Sequence, residues 1–255
     1  MNRRILIIAA AWIFSLAGPA VAQDTNTSFA PAAPLVFKTA DGKCTITINT
    51  TDAPELRGWA GSNLAPVLVE WYPKIVAMLP GEGFTAPAHF SITLKPMAGV
   101  AYTSGEEITA NSTWLRAEIG HQAIGSFVHE SVHVVQQYGG GDNPGWLVEG
   151  IADYIRWFKY EPQSHGADIV WMRRQRDFKP QYNDSYRVTA NFLNWVTEKY
   201  DTNIVRQLNA ALRAGNYDDA LWKQYTGKTA SELGEEWKKD LETQLGETNG
   251  PVESH

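Results

Sequence analysis

The sequence has one cysteine among its 255 residues, Cys44. A single cysteine cannot form a disulfide within the chain, so packing or a bound metal ion must stabilise the fold. Cys44 lies in the alternating stretch KCTITIN, which predicts a strand that carries a small buried core residue rather than a reactive thiol. A disulfide-stabilised scaffold is therefore excluded.

Positive charge is also scarce, since 22 Lys and Arg stand against 28 Asp and Glu, a formal net charge of −6. Two of the cations, Arg3 and Arg4, lie in an N-terminal segment that we expect to be removed, which takes the net charge from −6 to −8. An acidic protein has no general electrostatic attraction to nucleic acids or anionic membranes. We expect neither as a partner, and we treat the chain as a monomer.

The first 22 residues have the three parts of a secretory signal peptide. A pair of arginines precedes the apolar run Ile5–Ala17, and a small-x-small cleavage site ends at Ala22. The apolar run is shorter than the roughly 20 residues needed to cross a bilayer, which argues against the alternative, a membrane anchor. Cleavage after Ala22 would give an exported protein, periplasmic or secreted.

The rest of the chain contains no repeat and no low-complexity tract. Residues 23–34 are small, polar and proline-containing, which is typical of a flexible tether, and residues 246–255 predict a loose tail. Between them, residues 35–245 predict a single domain, because 44% hydrophobic content at this length supplies one substantial core. We divide it into a sheet with one long helix (35–140) and a helical lobe (141–245).

Hydrophobic spacing places the strands before most of the helices. It predicts strands at residues 42–50, 89–97, 100–103 and 108–112, and helices at 54–79, 123–138, 144–158, 187–199, 202–214, 218–224 and 230–244. Pro66 and Pro73 are expected to kink or split the first helix. This order indicates an α+β protein with a small N-terminal mixed sheet and a mainly helical C-terminal lobe.

The helical stretch 123–138 contains the motif HESVH, which begins at His129 and ends at His133. Residues i and i+4 lie one turn apart on one helix face, so both imidazoles can bind the same Zn²⁺. Glu130, next to the first histidine, is placed to act as general base toward the attacking water. The spacing therefore predicts part of a catalytic zinc site.

A catalytic zinc site usually has three protein ligands and one open position. The glycine run 139–141 ends the first helix, and the helix that follows carries Glu149 in its second turn. We expect Glu149 to be the third ligand and Asp153, one turn later, to accept a hydrogen bond from a ligand histidine. The alternative is that all these residues form the polar faces of two ordinary amphipathic helices.

Several blocks of the chain resemble the basic secretory protein family of plants and bacteria, a family of zinc metallopeptidases. The blocks are HESVHVVQQ, WLVEGIADYIRW, SYRVTANFLNWV, VRQLNAALRAGNYDDALWKQYTGKTASEL and EEWKKDL, in that order. The resemblance implies a gluzincin with a thermolysin-like fold, with His129, His133 and Glu149 on one zinc ion per chain and Glu130 as catalytic base. This chain is acidic whereas the family is named for basic plant members, so no partner that depends on positive charge is carried over.

Gluzincins also need a group that stabilises the oxyanion of the tetrahedral intermediate, usually a Tyr or His from the helical lobe. Tyr186, which begins the block YRVTANFL, is the first candidate. His165 in the loop QSHGAD is the second, and Tyr182 is the third.

The predicted strand of Val100, Ala101, Tyr102 and Thr103 has a possible role in substrate binding. In zincins of this arrangement an edge strand beside the site pairs with extended substrate. The next strand, ITANS, is an alternative, and a purely structural hairpin is another.

Together these features predict an exported zinc-dependent peptidase that acts on peptide or protein substrates. Three alternatives remain open. The chain could be a zinc-containing binding module at the cell envelope without turnover, a metal-free structural domain, or a metal-dependent amidase acting on cell-wall peptides.

Overall fold

A computed structural model of the chain describes residues 32–139, 143–175 and 179–246, which belong to one compact unit. The predicted signal peptide, most of the tether and nearly all of the tail lie outside the described residues. So do residues 140–142, which include two glycines of the run 139–141.

A five-stranded mixed sheet forms the N-terminal part of the fold. Its strands are β1 (Leu35–Lys38), β2 (Thr45–Asn49), β3 (His89–Lys95), β4 (Ala101–Ser104) and β5 (Glu107–Asn111). In the order β1-β2-β3-β5-β4, the three central strands are parallel and the two outer strands run antiparallel to their neighbours. The predicted mixed sheet is confirmed, although the four-residue strand β1 was not predicted.

One face of the central strands is fully buried. Ile46 and Ile48 on β2 alternate with partly exposed threonines, as the period-two pattern predicts. Cys44 precedes them on the same face, and burial raises the pKa of its thiol to about 11. Its assignment to the core is confirmed, since a buried thiol that stays protonated is unreactive.

Helices make up most of the remaining described chain, so the predicted α+β order is confirmed. They are α1 (Ala65–Met78), α2 (Ser112–Glu118), α3 (Ala123–Gln136), α4 (Gly145–Tyr154), α5 (Ile169–Arg173), α6 (Tyr186–Lys199), α7 (Ile204–Arg213), α8 (Ala220–Thr226) and α9 (Ala230–Gly246). Within the part of the chain that the structure describes, no helix is long and apolar enough to span a membrane.

Two predictions need correction: the effect of the prolines on the first helix, and the end of a strand at Ser112. Pro66 and Pro73 were expected to kink or split the first helix, but helical structure continues past both. A wider, π-helical segment, Ala60–Leu64, precedes α1 and ends two residues before Pro66. A proline lacks the N–H that would close an i→i−4 bond, and its ring crowds the carbonyl four residues back, which favours this widening. Ser112 was predicted to end a strand, but it begins α2, because the Asn111 side chain caps that helix by accepting from two backbone N–H groups.

Helix α3 lies between the sheet and the helical lobe. It packs against α1 and β4 and, on the lobe side, against α4 and its π-helical continuation, Ile155–Tyr160. Arg213 on α7 binds its C-terminal end, donating to the carbonyls of Val135 and Gln136 at 2.9 and 3.3 Å. A cation at that end donates to carbonyls that have no partner within the helix and interacts favourably with the negative end of the helix dipole.

Helices α4 and α6 approach each other closely at Gly150. A Cβ built on this glycine would lie 2.1 Å from Cγ2 of Thr189 and 2.7 Å from its Cβ, a distance that no side chain tolerates. The absence of a side chain at residue 150 therefore sets the position of α4 against the lobe.

We predict that Gly150→Ala lowers the free energy of unfolding by about 1–3 kcal/mol, because the added methyl must push the two helices apart. Gly58→Ala is the matched control, since nothing lies within 4 Å of a Cβ at that helical position. It should leave stability unchanged or raise it by up to about 1 kcal/mol. Urea unfolding measures both; equal effects would contradict the close approach.

Candidate metal centre

His129 and His133 face the same point from consecutive turns of α3. Their Nε2 atoms lie 3.1 Å apart and their ring planes are 81° from parallel. Both rings are largely buried beneath the floor of a cleft. The i, i+4 spacing of the sequence therefore places both imidazoles as predicted.

Glu149 on α4 completes a triangle of ligand atoms. Its Oε2 lies 3.2 Å from His129 Nε2 and 3.3 Å from His133 Nε2. Two ligands of a tetrahedral zinc ion, each about 2.0–2.1 Å from the metal, lie roughly 3.3 Å apart. The three residues therefore form a group that could hold a metal ion.

Hydrogen bonds on the far side of each ring keep a proton on Nδ1, so each Nε2 offers a lone pair when its ring is neutral. His129 Nδ1 lies 2.7 Å from Asp153 Oδ1, the partner that the sequence predicted. His133 Nδ1 lies 2.6 Å from Gln136 Oε1, while the Gln136 amide nitrogen donates to the Val148 carbonyl at 3.0 Å. The Val148 carbonyl can only accept a hydrogen bond, so the amide nitrogen of Gln136 must face it and the amide oxygen must face His133. The His133 Nδ1–H therefore donates to Gln136 Oε1. These bonds orient both rings toward the centre of the triangle.

The cluster attracts positive charge. Although burial opposes a charged imidazole, hydrogen bonds to Asp153 and Glu149 raise the pKa of His129 to about 10. Burial likewise opposes ionisation of Glu149, but hydrogen bonds from the two histidines lower its pKa to about 2. Three lone-pair atoms that converge beside buried carboxylates are stabilised by a proton or a metal cation between them.

Glu130 lies beside the triangle and is only 7% exposed. Its carboxylate lines the same cleft as the three candidate ligands. Thr103 Oγ1 lies 2.6 Å from Glu130 Oε2. The structure thus brings together the predicted base, the predicted ligands and one residue of the predicted substrate strand.

Tyr186 lies over the cluster, with its ring centroid 6.1 Å from that of His129 and the planes 21° apart. Tyr186 is 54% exposed and lines the cleft. The negative charge of Glu149, followed by burial, raises the pKa of Tyr186, so its hydroxyl stays a proton donor at neutral pH.

The backbone around Tyr186 is strained. Ser185 and Tyr186 have φ angles of 65° and 47°, in the left-handed region. Such residues cost on the order of 1–3 kcal/mol each and are concentrated at functional sites. No sequence signal announces this pair, because neither residue is a glycine or an asparagine.

The other two oxyanion candidates lie elsewhere. His165 does not line the cleft; it is exposed, in the left-handed region, and its Nδ1 lies 2.6 Å from Asp168, which caps α5. Tyr182 packs in the lobe core against Trp146 and Phe192. The sequence ranked Tyr186 first, and the packing of α6 on α4 places this residue, of the three, over the cluster.

The cleft has a volume of about 1110 Å³ and is bordered by β4. Val100, Ala101, Tyr102 and Thr103 all line it, and β4 is the last strand of the sheet. The alternative strand, β5, lies between β3 and β4 with both edges paired, so it cannot receive an added strand.

Gln136 is the main contributor that the sequence prediction missed. It is buried and connects a candidate ligand on α3 to the backbone of α4. Its signal was its spacing: it lies three residues after His133, on the same helix face.

Comparison with known proteins gives a family match. A family model described as BSP, peptidase of plants and bacteria, matches residues 64–237. Comparison with curated proteins finds no match.

Similar solved structures are M1 zinc metallopeptidases. One, from Deinococcus radiodurans, is 14% identical with a TM-score of 0.49, and the alignment covers 87% of this chain and 53% of that one. Another, a mutant two-domain M1 enzyme bound to L-tryptophan, is 15% identical with a TM-score of 0.46, covering 87% and 52%. The chain thus spans about half the length of these structures.

We predict that binding of one zinc ion releases about one proton at pH 7.5. His129, with its pKa near 10, carries a proton that the metal must displace, whereas Glu149 is already ionised. Apparent affinity should therefore rise about tenfold per pH unit and level off near pH 10. Isothermal titration calorimetry in buffers of different ionisation enthalpy measures the release; no proton release would contradict the prediction.

Proposed function

The chain belongs to the BSP family, the peptidases of plants and bacteria, and we propose that it hydrolyses peptide bonds with one zinc ion held by His129, His133 and Glu149. One observation carries the proposal: these three ligand atoms lie within 3.3 Å of one another, with the Glu130 carboxylate in the same cleft. A peptide or protein substrate follows from the family.

Zinc suits this donor set, since two neutral imidazole nitrogens and one carboxylate oxygen are ligands that it accepts in peptidases. When bound, zinc would lower the pKa of a water molecule and polarise the scissile carbonyl. Asp153 and Gln136 support the site by keeping a proton on Nδ1 of each histidine, so that both Nε2 lone pairs are available.

Glu130 would be the general base. Its carboxylate would take a proton from the attacking water and deliver it to the nitrogen of the leaving amine. Its position supports this role, because it is adjacent to His129 yet bound to neither histidine within the described hydrogen bonds.

Tyr186 would stabilise the oxyanion. Its protonated hydroxyl can donate to the carbonyl oxygen as negative charge develops there. The strained backbone at its helix start holds its ring over the cluster.

Substrate would bind along β4. Within the described part of the chain, one edge of this strand pairs with no other strand, and an extended peptide can add to such an edge through main-chain hydrogen bonds.

We also propose export, based on the N-terminal sequence alone. The mature protein would begin at Gln23 and act in the periplasm or outside the cell. Mass spectrometry of protein recovered from those fractions would show whether residues 1–22 are absent.

Glu130→Gln should lower kcat/KM on a peptide substrate at least about a hundredfold, because the amide cannot accept the proton. Zinc content should stay at one ion per chain, since Glu130 is not among the three ligands. Glu82→Gln, an exposed position, is the matched control and should keep full activity.

Four outcomes would distinguish the alternatives. Undiminished activity in Glu130→Gln would overturn its role as the base. Stoichiometric zinc in the wild type, without cleavage of any peptide in a broad library, would favour a binding module. Cleavage of cell-wall peptides by such a protein would instead favour an amidase. A wild-type protein that binds no zinc would favour a structural domain.

Tyr186→Phe should lower kcat about 10²- to 10³-fold with little change in KM, because its hydroxyl acts in the transition state. Tyr182→Phe is the matched control: its ring lies in the lobe core, and its loss of a hydroxyl should not affect kcat. Steady-state kinetics on one peptide measures both. Equal effects of the two substitutions would argue against Tyr186 as the oxyanion donor.

A further inference from the structure

We infer that Thr103 is a positioning residue that holds the Glu130 carboxylate in the orientation needed for proton transfer. The inference rests on the proposed peptidase function, because it assigns a task to the proposed base. It goes further in making one residue of the edge strand part of the catalytic arrangement.

A single hydrogen bond carries the inference. Thr103 Oγ1 lies 2.6 Å from Glu130 Oε2 and 3.1 Å from the Glu130 backbone carbonyl. Among the described residues, no other group forms a hydrogen bond with this carboxylate, which is almost fully buried. A buried carboxylate with one partner depends on that partner for its orientation.

The Thr103 hydroxyl donates its hydrogen bond to the Glu130 carboxylate rather than to the Glu130 backbone carbonyl. A threonine hydroxyl has one hydrogen to donate, and the Glu130 carbonyl lies inside α3, where helical carbonyls accept from the N–H four residues later. The shorter contact, to a charged acceptor, is also the stronger one. Oε2 is thereby occupied, and Oε1 is left free for the water that Glu130 must deprotonate.

The strand geometry makes this contact specific to Thr103. Side chains on β4 alternate, so Tyr102 and Ser104 are exposed while Thr103 is partly buried against α3. The strand that borders the cleft is thus connected directly to the base. A peptide that pairs with β4 would be held in fixed register with Glu130.

Two substitutions at this residue separate the hydroxyl from the shape of the side chain. Thr103→Val keeps the β-branched shape but removes the hydroxyl, and it should lower kcat about 10- to 100-fold with KM within about twofold. Thr103→Ser restores a hydroxyl and should recover most of the lost kcat. Thr93→Val on β3 is the matched control, because it removes a threonine hydroxyl that donates to Glu107 away from the cleft, and it should match the wild type.

A double-mutant cycle tests whether the effect passes through the base. In the Glu130→Gln background, Thr103→Val should lower the residual activity by less than about twofold, because no base remains to be oriented. Three results would overturn the inference: wild-type kcat in Thr103→Val, equal loss in Thr103→Ser, or an undiminished Val effect in the Glu130→Gln background.

Crystal structures of the zinc-loaded wild type, Thr103→Val and Thr103→Ser separate this inference from the proposed function. If the wild type cleaves no peptide, the proposed function fails, and the structures alone decide the positioning. Rotation of the Glu130 carboxylate in the Val variant only, with zinc content unchanged, would support the role of Thr103. An unmoved carboxylate in the Val variant would overturn it.

Discussion

The convergence of α3 and α4 on one point is the constraint on which the rest of the site depends. Neither helix carries a complete set of ligands, so Glu149 must come within 3.3 Å of two imidazoles on another helix. Besides the contacts of Glu149, two hydrogen bonds between described residues connect the helices at that point: His129 with Asp153, and Gln136 with the Val148 carbonyl. Gly150 permits the close packing of α4 on α6, and this packing fixes the position of the helix that carries Glu149.

The electrostatics of the cluster follow from that convergence. Glu130, Glu149 and Asp153 lie around two largely buried histidines, and burying several carboxylates is costly unless positive charge offsets them. Hydrogen bonds to Asp153 and Glu149 raise the pKa of His129, which favours a compensating proton there in the metal-free protein. A divalent cation would supply more, so proton and metal compete for one position.

Local patterns in the sequence predicted the α+β order, the buried face of β2 and the side-by-side histidines, because each depends on a spacing of two to four residues. Glu149 and Asp153 followed from ligand chemistry, since a third ligand had to come from the next helix. Gln136 and the contact between Thr103 and Glu130 were not predicted. The contact depends on which elements meet in space, and the spacing of Gln136 after His133 gains a meaning only from its hydrogen bond to α4.

The most direct measurement of the central claim is an anomalous-scattering map at the zinc edge from crystals of the zinc-loaded protein. We expect one strong peak about 2.0–2.2 Å from His129 Nε2, His133 Nε2 and a Glu149 carboxylate oxygen. No peak between these three residues, or a zinc ion bound only by other residues, would contradict the proposed metal centre.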